Sequence, residues 1–324
     1  MISTPLCQLL GIEVPIIQGP LGGPWEQSME LAAAVCNAGA LGSVPTSLRS
    51  AEQLRRDVSR LRELTDRPFA VNHVRRPFNE EVFAAILECR PPIVSFALGE
   101  PGDLVDRVHD VGALFLQQVT TVRQARQAAD AGVDVISAQG TESGGFSGVV
   151  STMALVPQVV DAVAPIPVVA SGGIADGRGL AAALVLGAQG VNIGTRFLAT
   201  VECGIAEEWK RAIVQAVSED AVKVDFADQV LPGPSPGGYT VAPRTLRTQY
   251  VDRGNRREAP DQLRDELMAA MQEGRGHQLI PMTGQTAGQI GELLPAADVV
   301  RRMAAEAEAA LRAANRLLEA PTAR

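Results

Sequence analysis

Three stretches hold most of the residues that could do chemistry. GVDVISAQGTESGGFSG (132–148), PVVASGGIADGRG (167–179) and GAQGVNIGTRF (187–197) each run from an apolar, β-branched segment into glycines and hydroxyl residues. Such a segment reads as a strand covered on both faces. The glycines behind it let the backbone approach a ligand closely. In the second stretch, Ser171, Gly172 and Gly173 lie between a strand and a helix, where amides and a helix N-terminus together favour an anion. Gly194 and Thr195 end the next strand and offer an amide and a hydroxyl to the same anion. Tight turns alone would use the same glycines. Two adjacent units in this order, however, match the way barrel enzymes hold a phosphate between their last two strand-end loops.

The rest of the chain supplies units of the same kind. Apolar strands are expected over 15–20, 39–44, 68–72, 92–96, 113–117, 133–138, 167–170 and 190–193. Helices are expected over 26–38, 50–65, 80–89, 103–110, 121–131, 153–163 and 177–186. Eight strand-then-helix units within 200 residues predict an α/β fold, a (β/α)8 TIM barrel, with a C-terminal cap or insertion region. A doubly wound sheet is the runner-up, but no GxGxxG follows the first strand. The active site of a barrel lies where its strands end, which singles out Gln18, Asn72, Gln117 or Gln118, and Gln139. Residues 1–200 are expected to form the barrel, completed by a C-terminal helix within 290–324, and 201–289 to cap its mouth without an independent core. The cap is rich in arginine (Arg244, Arg247, Arg253, Arg256, Arg257), and local ion pairs on a solvated surface are the favoured reading over an anion site.

Composition removes other classes. The net charge of −8 argues against a nucleic-acid surface or an acidic membrane. The four cysteines, Cys7, Cys36, Cys89 and Cys203, are scattered without a CxxC, so neither a metal site nor a disulfide framework is expected, and a reducing cytoplasm follows. No apolar run reaches the roughly 18–20 residues of a membrane span. No secretory leader is read at the start. The expected partner is a small molecule, with a homodimer as the candidate assembly.

The segments PIIQGPLGG (15–23), AVNHV (70–74), AQGTESGG (138–145), 168–200 and MTGQTAG (282–288) resemble the nitronate monooxygenase (2-nitropropane dioxygenase) family, whose superfamily includes the flavin-dependent enoyl-acyl-carrier-protein reductases. The resemblance implies an FMN-binding barrel. It places Gly172, Gly173, Gly194 and Thr195 on the FMN phosphate, and Asn72, Gln139, Gly144 and Gly145 on the ring and ribityl chain. It puts Gly19, Pro20 and Leu21 beside the reactive edge and closes Gln285 over the flavin. A flavin needs donors and acceptors along its pyrimidine edge and a dry, glycine-lined path for its chain, which agrees with these residue types.

Two departures from the family pattern bear on the reaction. The family loop normally reads GGH, its histidine serving as the base; the matching residue here is Phe146, which cannot transfer a proton. Many members carry a lysine after the fifth strand; Gln118 is the counterpart, with a hydrogen bond to offer but no charge. Nitroalkane deprotonation is therefore in doubt, whereas a nitronate, already deprotonated, could still reduce FMN. Among the replacements, Glu142 is the best base by charge, although capping its own loop is the plainer role. His73 follows Asn72 and is a further candidate, although strand alternation turns it away from the pocket unless the strand has ended there. His109 is expected on the surface, and His277 in the cap. Tyr239 and Tyr250 could donate from a lid, although packing is the commoner role of such residues. The reading is an FMN oxidoreductase of nitronate monooxygenase type using O2. The alternatives are an NAD(P)H-dependent FMN reductase of an activated C=C bond or quinone, and a flavin-binding barrel that has lost catalysis.

Overall fold

The computed structural model describes residues 2–21, 28–74, 78–231 and 242–319. The apolar segments become β1 (Ile16–Gln18), β2 (Gly42–Pro45), β3 (Phe69–Val74), β4 (Ile93–Ala97), β5 (Leu114–Val119), β6 (Val135–Gln139), β8 (Val168–Ser171) and β9 (Gly190–Ile193). These eight are parallel and adjacent in the order β1-β9-β8-β6-β5-β4-β3-β2. A parallel bridge from Ile17 to Leu41 joins the ends, with the Gln18 amide donating to the Leu41 carbonyl at 2.8 Å. The ring closes, as the repeated strand-helix units predict.

Local signals set the helices that surround it. Ser50 caps Ala51–Leu64 with a full capping box to Gln53, and Asn79 caps Glu80–Cys89 through the Val82 amide. After β9 the chain makes only the short helix Thr195–Leu198 before entering the cap. The helix Ala296–Glu319 returns to lie against Gly177–Val185 and Ser28–Asn37, taking the outer-ring place that belongs to the eighth strand.

Alternation along the strands divides the core. Val71, Val94, Phe115, Ile136 and Val191 face outward into the large cluster shared with the helices. Ile17, Leu41, Ala70, Ile93, Leu116, Val135 and Val169 face the barrel axis and are sealed below by Leu6, Cys7 and Leu10. That plug is the helix Pro5–Leu10, started by a proline and ended by Gly11 in the left-handed conformation. At six residues it is too short for a helical period to show in the sequence.

The cap has more structure than expected. β10 (Ala221–Lys223) and β11 (Ala242–Leu246) form an antiparallel sheet with β7 (Gly145–Ser147), a strand inside the glycine-rich loop after β6. Beside it, Val224, Phe226, Ala227, Val230, Tyr250, Val251, Leu263, Leu267 and Ile280 form a buried cluster separate from the barrel. The expectation of a cap without its own core is therefore corrected: helices Gln249–Asn255 and Pro260–Gln272 present apolar faces that close on each other. Among the described residues, no helix is long and apolar enough to cross a membrane.

Candidate active site

The upper interior of the barrel is polar. One step above the apolar layer, the axis-facing positions are Ser43, Asn72, Ser95, Gln118, Ser137, Ser171 and Asn192, and all but Gln118 are buried. Alternation resolves the choice left open after the fifth strand. Gln118 faces inward, where its Nε2 donates to Gln139 Oε1 at 3.1 Å. Gln117 faces outward and donates to the Gly99 and Gln118 carbonyls. Gln18 also faces outward: its Oε1 accepts from the Ser43 amide at 3.0 Å, bridging β1 to β2. Asn72 lies inside, with Nδ2 donating to Ser95 Oγ at 3.0 Å and to the Ser95 carbonyl at 3.2 Å.

Over this layer, five chain segments meet. A Cβ added at Gly144 would lie 2.6 Å from the Gly284 amide nitrogen, so only glycine admits the 282–288 loop this close. The Gly284 amide donates to Thr195 Oγ1 at 2.9 Å, and the Gln285 amide donates to the Glu142 carbonyl at 2.9 Å. Gly172 takes φ +93°, and a Cβ there would lie 2.5 Å from Ser143 Oγ. Met282 Sδ is 3.8 Å from the Cβ position of Gly145. On the near side, the Gly19 amide donates to the Ile193 carbonyl at 2.7 Å, and Leu21 packs 3.6 Å from the Cβ position of Gly194. Gly19, Leu21, Gly144, Gly145, Gly172, Gly194, Thr195 and Gln285, far apart in sequence, therefore converge. Pro20 lies between Gly19 and Leu21, while Ser171 and Gly173 flank Gly172.

Polar atoms without partners point to what could bind here. Ser143 Oγ and Asn192 Oδ1 are buried and unpartnered among the described residues. Ser143 Oγ adjoins Gly172, and Asn192 Oδ1 lies 3.1 Å from the Cβ position of Gly19. A buried polar atom left unpaired is costly, and a bound ligand is one way to satisfy it. Hydroxyls at Ser143 and Thr195 and the glycine backbone suit a phosphate; the amides of Gln118, Gln139, Asn72 and Asn192 suit a heteroaromatic edge. The donor set thus fits a flavin mononucleotide. Neither Ser143 nor Asn192 is among the residues expected from the sequence to line the site, although Asn192, two residues before Gly194, is turned inward by the same alternation.

The helix N-terminus contributes less than expected. Asp176 accepts from the amides of Arg178 and Gly179, and Glu306 from that of Gly177. The first turn of Gly177–Val185 therefore already has its anions, supplied by the protein itself. That helix end therefore offers an external anion less than its sequence suggests, whereas the loops at Gly172–Gly173 and Gly194–Thr195 have the Ser143 and Thr195 hydroxyls beside them.

The candidate proton carriers fall elsewhere. His73 faces the helix layer, its Nδ1 2.7 Å from Thr46 Oγ1 and its ring surrounded by Phe78, Phe83 and Phe96 at centroid distances of 5.3, 6.1 and 5.8 Å. Burial pushes its pKa down to about 4, against opposing contributions from the Asn79 backbone and Glu80. Glu142 directs both oxygens at the Thr152 amide (3.1 and 3.0 Å) and accepts from the Thr152 hydroxyl at 2.9 Å, capping the helix Thr152–Val163. Phe146 sits on β7, half-buried and opposite Pro243 of β11. His109 lies at the surface, 2.8 Å from Asp134. His277 stacks on Trp209, whose Nε1 donates to Thr283 Oγ1 at 2.9 Å. Tyr250 is in the cap core, its hydroxyl donating to the Leu263 carbonyl at 2.9 Å, and burial raises its pKa to about 12. Tyr239 lies outside the described residues.

The cap arginines are largely engaged. Arg247 pairs with Asp252, and Arg253 with Glu258 and Glu266. Arg244 is buried against backbone carbonyls.

The chain is similar to known proteins. A relative in Mycobacterium tuberculosis, a (3aS,4S,5R,7aS)-5-hydroxy-7a-methyl-1-oxo-octahydro-1H-indene-4-carboxyl-CoA dehydrogenase, is 36% identical over 256 residues, 78% of this chain and 68% of its own. A probable nitronate monooxygenase of Staphylococcus saprophyticus is 35% identical over 269 residues, 68% of this chain and 75% of its own. The solved structure of FabK from Thermotoga maritima superposes with a TM-score of 0.87 at 34% identity, covering 97% of this chain and 99% of that one. The nitronate monooxygenase family model matches residues 3–80 and 74–306, taking in the barrel, the converging loops and the cap. The chain belongs to this family of oxidoreductases.

Proposed function

We propose that this protein is an FMN-dependent oxidoreductase of nitronate monooxygenase type, oxidising a nitronate or similar small activated substrate with O2 as electron acceptor. The observation that carries the proposal is the junction of Gly144, Gly172, Thr195 and Gly284 above a polar layer, with Ser143 Oγ and Asn192 Oδ1 buried and unpartnered among the described residues. The flavin, when bound, supplies the group that takes electrons from substrate and hands them to O2. The chain supplies binding and exclusion. Gly172, Gly173, Gly194 and Thr195, with Ser143, hold the phosphate; Asn72, Gln118 and Gln139 offer amides to the ring. Gly19, Pro20 and Leu21 line the reactive edge, and Gln285 closes the loop side. Phe146 takes the place of the family histidine and adds an apolar wall without a proton acceptor. Glu142 is engaged with Thr152, and His73 is enclosed by phenylalanines on the far side of its strand. A substrate that arrives deprotonated suits such a site better than a nitroalkane.

A second reading, NAD(P)H-dependent reduction of an activated C=C bond or quinone, is favoured by the whole-length likeness to FabK and by the relative named for a carboxyl-CoA compound. The pairing of Arg247 and Arg253 with carboxylates weakens the case for a nicotinamide phosphate held by the cap.

The test is the visible spectrum of the purified protein, followed without oxygen as NADH, NADPH and then propyl nitronate are added. Flavin bands bleached only by nitronate support the first reading, and bleaching by a nicotinamide transfers the case to the second. A protein that is colourless and takes up no FMN overturns both. Turnover that vanishes with Asn72→Ala or Gln139→Ala would dispose of the idea of a barrel without catalysis.

A further inference from the structure

Two cations of the cap grip the glycine-rich loop at its two ends. In the three-stranded sheet, Ser147 lies opposite Ala242, Phe146 opposite Pro243 and Gly145 opposite Arg244. Lys223, the last residue of β10, reaches across β11 to this edge strand. Its Nζ lies 2.6 Å from Ser147 Oγ, 2.9 Å from the Ser147 carbonyl, 3.2 Å from the Gly148 carbonyl and 3.0 Å from the Ala242 carbonyl. Arg244 is buried on β11; its Nε donates to the Thr141 carbonyl at 3.0 Å, and Nη1 donates to the Ala221 carbonyl. One cation therefore holds residue 141, where the loop begins, and the other holds 147 and 148, where it ends. Between them lie Glu142, Ser143, Gly144, Gly145 and Phe146.

This arrangement answers a physical difficulty. A three-residue edge strand rich in glycine has little of its own to fix its register. An ammonium surrounded by four oxygens supplies charge-assisted bonds, which are stronger than neutral ones. The cost of bringing it there is visible: burial lowers the pKa of Lys223 to about 8, the neighbouring Arg244 adds to this and Asp225 opposes it. The group remains mostly protonated at neutral pH.

We propose that Lys223 and Arg244 are positioning residues that lock the 141–148 loop to the cap, so that the Phe146 wall and the Gly144–Gly284 contact move only with the cap. The inference rests on the proposed function only in taking this loop as the wall of the ligand site. Its test is amide hydrogen exchange on the full-length protein, before and after FMN is added, together with FMN affinity by fluorescence. Lys223→Met is expected to raise exchange across 144–148 about tenfold, with β3 and β4 unchanged, and to weaken FMN by a similar factor. Lys223→Arg, which keeps the charge, is expected to hold both within about threefold of the parent. Should Lys223→Met disturb the whole fold, Ser147→Ala removes the hydroxyl that accepts from Lys223, together with its longer contacts of 3.4 Å to the Thr141 and Ser143 carbonyls, and is expected to shift exchange the same way by a smaller factor. Unchanged exchange at 144–148 in both Lys223→Met and Ser147→Ala overturns the proposal. A parent protein that binds no FMN defeats the flavin reading alone, and the exchange result then decides the clamp.

Discussion

The lower and upper halves of the barrel interior are built by the same strands, yet they differ in chemistry. Below, Leu41, Ala70, Ile93, Val135 and Val169 meet Leu6 and Leu10 of the plug in a dry, closed cluster. Above, one pleat further along the same strands, Ser43, Asn72, Ser95, Ser137, Ser171 and Asn192 take their place, and two of them carry unpartnered polar atoms. The lower layer carries stability and leaves nothing for a ligand to do. The upper layer gives up apolar burial and keeps hydrogen-bonding capacity in reserve. The division lies between an apolar closed end and an open end that keeps buried polar groups.

Substitutions can test that division. The largest expected effect is at the closed end. Leu6→Ala should lower stability by about 2–5 kcal/mol, measured by urea unfolding, with FMN affinity unchanged in the folded fraction. A comparable loss of FMN binding would show that the halves are not separable. Next is the outward face of β3. The folded His73 has a pKa of about 4 against an ordinary 6.5, so the unfolded chain takes up the proton first as the solution is acidified. Stability from this residue is complete above the ordinary value and is lost as pH falls towards the folded one, about 2–3 kcal/mol between pH 7 and pH 4.5. His73→Phe should flatten that part of the urea-midpoint profile, and an unchanged slope would assign the acid sensitivity elsewhere.

Smaller effects belong to the open end. Gly172→Ala forces a side chain onto φ +93° and against Ser143 Oγ. It should cost roughly 1–2 kcal/mol of stability and, on the proposed placement of FMN, reduce FMN binding by more than that strain alone. Equal losses of stability and binding would remove the loop from the site. Phe146→His should alter stability by only about 0.5 kcal/mol, since the position is half-buried on an edge strand. A gain of nitroalkane oxidation in oxygen-uptake assays would show that a base alone was missing; no gain would mean that the pocket has been rebuilt around another substrate.

Much of this was readable from residue patterns. The eight apolar segments, the Ser50 and Asn79 caps and the helix Glu80–Cys89 are local signals, and each appears where its residues put it. The glycine motif after β8 called for a tight turn, and Gly172 has the positive φ that such a turn demands. Other features depended on distant partners. That Asp176 and Glu306 would take the amides of Gly177–Val185 could not be seen in the motif, because Glu306 comes from a helix 130 residues away. The plug, the cap core and β7 escaped for the same reason, since each exists only against a surface supplied by another segment.

By itself, the sequence determined which residues could line a site: glycines where the backbone must come close, and amides and hydroxyls at strand ends. Periodicity and capping carry that information within a few residues of chain. Only the tertiary structure decided which of those groups face one another. The pleat turned Gln118 inward and Gln117 outward, and the barrel's closure put Gly144 against Gly284. The cap's pairing with β7 gave Lys223 and Arg244 the two ends of one loop. Such pairings join segments up to about 140 residues apart, and no local propensity encodes them.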